Sequence, residues 1–294
     1  MRTSEKVASH GRRSWLAALG ALSLLSACAH RGGGMMARRR ELLREGDVQL
    51  DVIVEGTGPT LVLLPSSQRD SEDYDELAHL LATKGFKVLR PQPRGMGASR
   101  GQMQELSLDA LAGDVALAVR RLGDGRAVIV GHAYGHFVAR VADLRYPELV
   151  RGVVVLAAAA RTFPPGVQPS LLVAANPTQP RDARLAALRH AFFAPGNDPT
   201  PWLEGWYPEL SAAYRDAQTR PPKDQWWPVS HSTILDLQGA DDPWRPPATR
   251  NELKAVLGDK VTVQVIPRAS HAMVPEQPHA VAEAVARWAG GLPP

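Results

Sequence analysis

Cysteine is almost missing from this chain: Cys28 is the only one in 294 residues. Everything after it folds without a disulfide, a thiol nucleophile or a thiolate zinc site. There is also no dinucleotide fingerprint, no phosphate loop and no cysteine ligand set, so no cofactor is expected. The apolar run from Trp15 to Leu25 falls well short of the roughly 20 residues a membrane-crossing helix needs, and Gly20 interrupts it. Charge of one sign is scarce too. The formal net charge of +4 includes Arg2, Lys6, Arg12 and Arg13 against Glu5, so without residues 1–27 it falls to +1. A nucleic-acid partner is therefore not expected. No internal repeat is present.

The N-terminus has a purpose of its own. Arg12 and Arg13, an apolar stretch and small residues up to Cys28 have the layout of a secretory signal, residues 1–27, removed from the mature protein. Leu25-Ser26-Ala27-Cys28 resembles a bacterial lipobox, which implies cleavage before Cys28 and a lipid on its thiol. Arg12-Arg13-Ser14-Trp15-Leu16 resembles a twin-arginine export signal, and the export route stays open. The resemblance implies a lipid-anchored envelope protein facing the periplasm. Ala29 after the cysteine favours the outer membrane over the inner. Residues 28–44, with Gly32-Gly33-Gly34, read as a flexible tether, whose Arg31 and Arg38 to Arg40 are expected near anionic lipid. About 250 residues remain, enough for one large domain spanning 45–292.

Within that domain Val48, Leu50, Val52 and Val54 alternate, a Gly56-Thr57-Gly58-Pro59 turn follows, and Thr60 to Leu64 continues, which reads as a hairpin. Continuous apolar runs at Lys87 to Leu89, Ala127 to Val130, Val153 to Leu156, Ile234 to Leu237 and Val261 to Ile266 mark strands buried on both faces. Between them Leu108, Leu111, Val115, Ala118 and Leu122 form a helical stripe with Ser107 as N-cap, and Val281, Val285 and Trp288 form another. Buried strands alternating with amphipathic helices predict an α/β fold, a mostly parallel sheet covered on both faces. Residues 161–230 break this rhythm. They are rich in proline and carry Phe192, Phe193, Trp202, Trp206, Tyr207, Tyr214, Trp226 and Trp227, and they read as an inserted cap. Its aromatics either line an apolar pocket or cover the sheet edge.

Ala127-Val-Ile-Val-Gly-His-Ala-Tyr-Gly-His-Phe-Val-Ala-Arg140 reads as strand, sharp turn and helix, and it resembles the nucleophile elbow of the α/β-hydrolases. The resemblance implies an eight-stranded, mostly parallel twisted sheet and extends over the mature domain. Gly131 and Gly135 supply the small neighbours that the elbow needs, but its central position is Ala133, whose methyl group can neither attack nor donate a proton. In family order an acid and then a histidine follow. Leu237-Gln-Gly-Ala-Asp-Asp-Pro243 fits the acid turn, with Asp242 as the acid and Asp241 as its rival, and Ile266-Pro-Arg-Ala-Ser-His271 fits the histidine loop. A carboxylate that fixes the histidine tautomer makes His271 a base candidate. Where the family shows His-Gly after the strand ending at Leu64, this chain has Pro65-Ser66-Ser67; backbone N–H groups of Ser67 and Tyr134 would still form an oxyanion hole. Ser66 and Ser67 either cap a turn, the preferred reading, or offer a displaced nucleophile. Arg94-Gly-Met-Gly-Ala-Ser99 resembles the family's glycine-rich loop. His132 and His136 are four apart, but the elbow between them removes helical geometry, so no metal site is expected. His132 is expected in the core and His136 in the cavity wall.

Two functions follow. One is hydrolysis of a small apolar ester or lactone by a serine-independent mechanism based on His271 and Asp242. The other is a catalytically inactive envelope protein that binds a ligand or partner in the old cavity, a reading that Ala133 motivates directly.

Overall fold

The computed structural model describes residues 38–293. The signal segment, Cys28 and most of the expected tether lie outside them. The strands are β1 (Arg39–Glu45), β2 (Val48–Glu55), β3 (Thr60–Leu64), β4 (Lys87–Pro91), β5 (Ala127–His132), β6 (Val150–Leu156), β7 (Ile234–Gly239) and β8 (Val261–Ile266). The helices are α1 (Asp75–Thr83), α2 (Leu108–Leu122), α3 (Gly135–Arg145), α4 (Gln168–Ala175), α5 (Arg181–Ala191), α6 (Ser211–Ala217), α7 (Lys223–Trp226), α8 (Glu252–Leu257), α9 (Met273–Glu276) and α10 (Pro278–Gly290).

These strands form one eight-stranded sheet in the order β1-β2-β4-β3-β5-β6-β7-β8. β3 is parallel to β4 and β5, and β5 through β8 are parallel to one another; only β1 and β2 run antiparallel to their neighbours. Period-two alternation splits each strand between two cores. Val62, Leu64 and Ile129 pack with Leu111, Val115 and Val141 of α2 and α3. Leu61, Leu63, Val128 and Val130 pack with Leu77 and Leu81 of α1 and Val281 and Val285 of α10. Burial of each such Leu or Val contributes about 1.5–3 kcal/mol relative to exposure. Ser107 caps α2, accepting from the Ala110 amide at 3.1 Å.

Two expectations change. The Val48–Leu64 segment is not a hairpin: β2 pairs with β1 on one side and β4 on the other, and β4 separates it from β3. The Gly56–Pro59 turn instead crosses beneath the α1–β4 connection. A Cβ on Gly56 would strike the Phe86 carbonyl and one on Gly58 the Gly85 carbonyl, which is why glycine stands at both. Second, the tether expected to run to residue 44 already forms a strand from Arg39, because β1 covers the otherwise open edge of β2. Of the arginines expected near anionic lipid, Arg31 lies outside the described residues, and Arg38 to Arg40 form ion pairs within the protein. Arg38 meets Asp75 at 2.7 Å, Arg39 meets Glu41 at 2.9 Å, and Arg40 meets Asp51 at 2.6 Å and also Glu72.

The insertion between β6 and β7 contains α4 to α7. Of its aromatics, Phe192 meets the pocket expectation, while the paired tryptophans pack on a helix and not on the sheet edge. Trp226 and Trp227 are buried against Phe137 and His136 of α3, whereas Phe192 reaches the site below.

Candidate active site

The carboxyl ends of β3, β5, β7 and β8 converge, as ligand-binding crevices in such sheets require. β5 delivers the sharp turn. Ala133 sits at a φ of 45°, a conformation that L residues seldom adopt, so the surroundings must hold it there. Its N–H donates to the Leu156 carbonyl at 2.9 Å, and its own carbonyl accepts from His136 Nδ1. The turn tolerates no side chain on either flanking glycine. A Cβ on Gly131 would meet the Gly135 backbone, and one on Gly135 would meet the Leu64 carbonyl.

The acid turn after β7 and the loop after β8 bring Asp242 and His271 together. Asp242 Oδ2 lies 3.1 Å from His271 Nδ1, with the carboxylate fully buried and the imidazole 6 % exposed. Since the carboxylate accepts, Nδ1 carries the proton and Nε2 keeps its lone pair in the neutral ring. Asp242 Oδ1 is occupied by the Trp244 N–H at 2.8 Å. Asp241 is exposed, and its amide donates to the Ala269 carbonyl at 2.9 Å.

His132 holds the histidine loop from below. Its Nε2 donates to the His271 carbonyl at 2.6 Å, and burial pushes its pKa down to about 3, so the ring stays neutral. His136 engages a different carbonyl, that of Ala133, and burial lowers its pKa well below the usual histidine range. The two histidines therefore do not share a ligand site.

Ala133, Tyr134, Ser66, Ser67, His136 and His271 all border one cavity of about 290 Å³. Phe163, Leu171, Leu172, Phe192 and Trp244 give the wall its apolar part, and Gln68, Gln168, Ser211, Arg215 and Gln218 add polar side chains. Among the described residues no internal hydrogen bond takes the amides of Ser67 and Tyr134, which leaves both free as donors there. Neither serine hydroxyl bonds His271; the turn is closed instead through the Ser66 carbonyl, which accepts from the Arg69 amide at 3.2 Å. The glycine-rich loop is anchored by Arg94, whose Nε and Nη2 meet the two Asp114 oxygens at 2.8 Å each.

Several site residues escaped the sequence reading. Trp244 stacks on His271, and its indole N–H reaches the Ala191 carbonyl at the end of α5 at 2.7 Å. The next carbonyl, Phe192, takes the Ala272 N–H at 2.7 Å. Glu276 joins the same contact region, accepting from the amides of Ser270 and Ala194, each at 2.6 Å, and from Asn197 Nδ2 at 2.7 Å; burial raises its carboxyl pKa. Thus the cap is fastened to both the acid turn and the histidine loop. Trp244 follows Asp242 by two residues, the one local signal that could have singled it out.

Comparison with known proteins gives the same architecture. A bifunctional epoxide hydrolase 2 of Sus scrofa is 31 % identical over 138 residues, 46 % of this chain and 25 % of that protein. A 2-(acetamidomethylene)succinate hydrolase of Mesorhizobium japonicum is 30 % identical over 111 residues, 38 % of this chain and 40 % of that one. The match thus spans well under half the length of either relative. The solved structure of a thermophilic esterase from Thermogutta terrifontis superposes with a TM-score of 0.70 at 22 % identity, covering 86 % of this chain and 98 % of that one. Residues 61–284 match the alpha/beta hydrolase family as a whole, and with this sheet, elbow turn and buried dyad the chain belongs to it.

Proposed function

We propose that this protein hydrolyses a small apolar ester or lactone without a covalent intermediate, with His271 as general base and Asp242 fixing its tautomer. The observation that carries this reading is the buried His271–Asp242 pair opening onto a partly apolar cavity beside Ala133. At Ala133 the methyl group leaves room for water where the family's nucleophile would stand. Water attacks the carbonyl carbon while His271 Nε2 takes its proton, and the resulting oxyanion lies against the amides of Ser67 and Tyr134. The tetrahedral species then expels the alkoxide, which recovers the proton from His271. The names of the two curated relatives, an epoxide hydrolase and a 2-(acetamidomethylene)succinate hydrolase, support hydrolysis in general. In this reading a lipid on Cys28 anchors the domain to the envelope, facing the periplasm.

Ala133 itself favours a second reading, a retired hydrolase whose cavity binds a ligand. Loss of a serine nucleophile in one protease lowers turnover by about 10⁶, so a merely damaged serine enzyme would retain little. The deciding experiment uses the full chain on a panel of short and medium-chain activated esters and lactones, together with Ala133→Ser and His271→Ala. Native activity that His271→Ala abolishes establishes the water mechanism, whereas activity only in Ala133→Ser establishes binding.

A further inference from the structure

The cap brings a cation to the cavity wall. Ser211, Arg215 and Gln218 follow one another at helical intervals, so they share one face of α6 and its C-terminal end, and all three line the cavity. The other face fixes how α6 sits. Tyr214 and Ala217 are buried in the core with α2 and α3, the Tyr214 hydroxyl donates to the Arg94 carbonyl at 2.8 Å, and the Tyr214 carbonyl accepts from the Tyr134 hydroxyl at 3.1 Å. Arg215 is exposed, so solutes reach it. Its neighbour Asp216 does not neutralise it, because that carboxylate pairs with Arg220 at 2.6 Å. Among the described residues Arg215 forms no ion pair, and the side chains of Ser211, Arg215 and Gln218 form no hydrogen bond. No aspartate, glutamate or lysine lines the cavity among the described residues, so Arg215 sets its charge.

Apolar side chains border the same space. Phe163, Leu171 and Phe192 line it, and Leu172 is 56 % exposed although it borders the cavity. An arginine without a partner and uncovered apolar side chains on one cavity complement a ligand that carries both an anion and an apolar body. We propose that the cavity takes a monocarboxylate, its carboxylate held by Arg215 and its apolar body lying against Phe163, Leu171, Leu172 and Phe192. Shape and charge select the carboxylate. The planar guanidinium fork takes two oxygens side by side, and one negative charge balances one arginine, whereas a phosphate dianion would keep a charge uncompensated beside the apolar wall. Combined with the hydrolytic reading, on which the word substrate rests, the substrate is an ester or lactone whose apolar body also bears a carboxylate.

Benzoate and its neutral isostere acetophenone, neither of which a hydrolase can cleave, test this by ligand-observed NMR on the full chain, on Arg215→Gln and on Arg189→Gln at neutral pH. Arg189 serves as the control, an exposed arginine of α5 that does not line the cavity. The benzoate-to-acetophenone affinity ratio is expected to fall about fivefold in Arg215→Gln, the size of one solvent-screened ion pair, and to stay within about twofold in Arg189→Gln. High salt is expected to lower the ratio in the native chain and not in Arg215→Gln. No binding of benzoate to the native chain, a ratio equal in the native chain and Arg215→Gln, or an equal fall in Arg189→Gln overturns the proposal. Because the readout is binding and not hydrolysis, an inactive protein that shows the expected ratios keeps this subsite and loses only the catalytic reading, and an active one that lacks them keeps the catalysis and loses the subsite.

Discussion

The indole of Trp244 lies over the imidazole of His271 with ring centroids 5.0 Å apart and planes 28° from parallel. The same residue donates its backbone N–H to Asp242 and its ring N–H to the cap at Ala191. One residue thus touches both members of the dyad and the element that covers them. Trp244→Ala is expected to cost about 3–5 kcal/mol in chemical unfolding, because it leaves a buried cavity and an empty acceptor. Trp244→Phe, which keeps a ring over His271 and loses one hydrogen bond, is expected to cost about 1 kcal/mol.

Asp242 and Asp241 make opposite predictions from adjacent positions. Asp242→Asn presents an amide to His271 Nδ1 and imposes the wrong tautomer, so ester or lactone turnover is expected to drop at least about a thousandfold. Asp241→Asn, altering an exposed side chain, is expected to leave kcat within about twofold. Steady-state kinetics on both variants checks this, and equal losses would contradict the assignment.

Arg69 fastens the cap from the other side. Its guanidinium lies 4.7 and 4.8 Å from the ring centroids of Trp202 and Trp206, meets Asp73 at 2.5 and 2.6 Å, and donates to the Glu204 carbonyl at 2.5 Å. Burial already raises the Asp73 pKa, so removing the arginine strands a carboxyl with little compensation. Arg69→Met is expected to lower stability by about 3 kcal/mol and to expose the cap to limited proteolysis before the sheet.

His132 predicts a direction of acid sensitivity. Its folded pKa of about 3 lies below the unfolded value of 6.5, so it takes up a proton only on unfolding, and its contribution to stability is lost as pH falls below 6.5. The slope is up to about 1.4 kcal/mol per pH unit within that window. Denaturant midpoints of the native chain and of His132→Asn at neutral and mildly acidic pH are expected to converge as pH falls. Parallel curves would show that His132 does not titrate on unfolding.

Much of this protein could be read from the order of its residues. Buried runs such as Ala127–Val130 and stripes such as Leu108–Leu122 are periodic signals that local sterics and the hydrophobic effect translate directly into strand and helix. Gly131, Ala133 and Gly135 likewise locate the elbow, since only small residues fit a close strand-to-helix turn. Pairing was different. Nothing in Val48–Leu64 reveals that β4, more than twenty residues on, separates β2 from β3, because sheet neighbours are chosen by long-range burial and not by adjacent turns. Tertiary packing also decided which of two adjacent aspartates faces His271, which cap aromatics reach the cavity, and that Trp244, Glu276 and Arg69 tie cap to core. Sequence by itself determined which groups are available at the site. Their distances, burial and hydrogen-bond partners exist only after distant segments have packed, because each depends on what surrounds an atom and not on what precedes it in the chain.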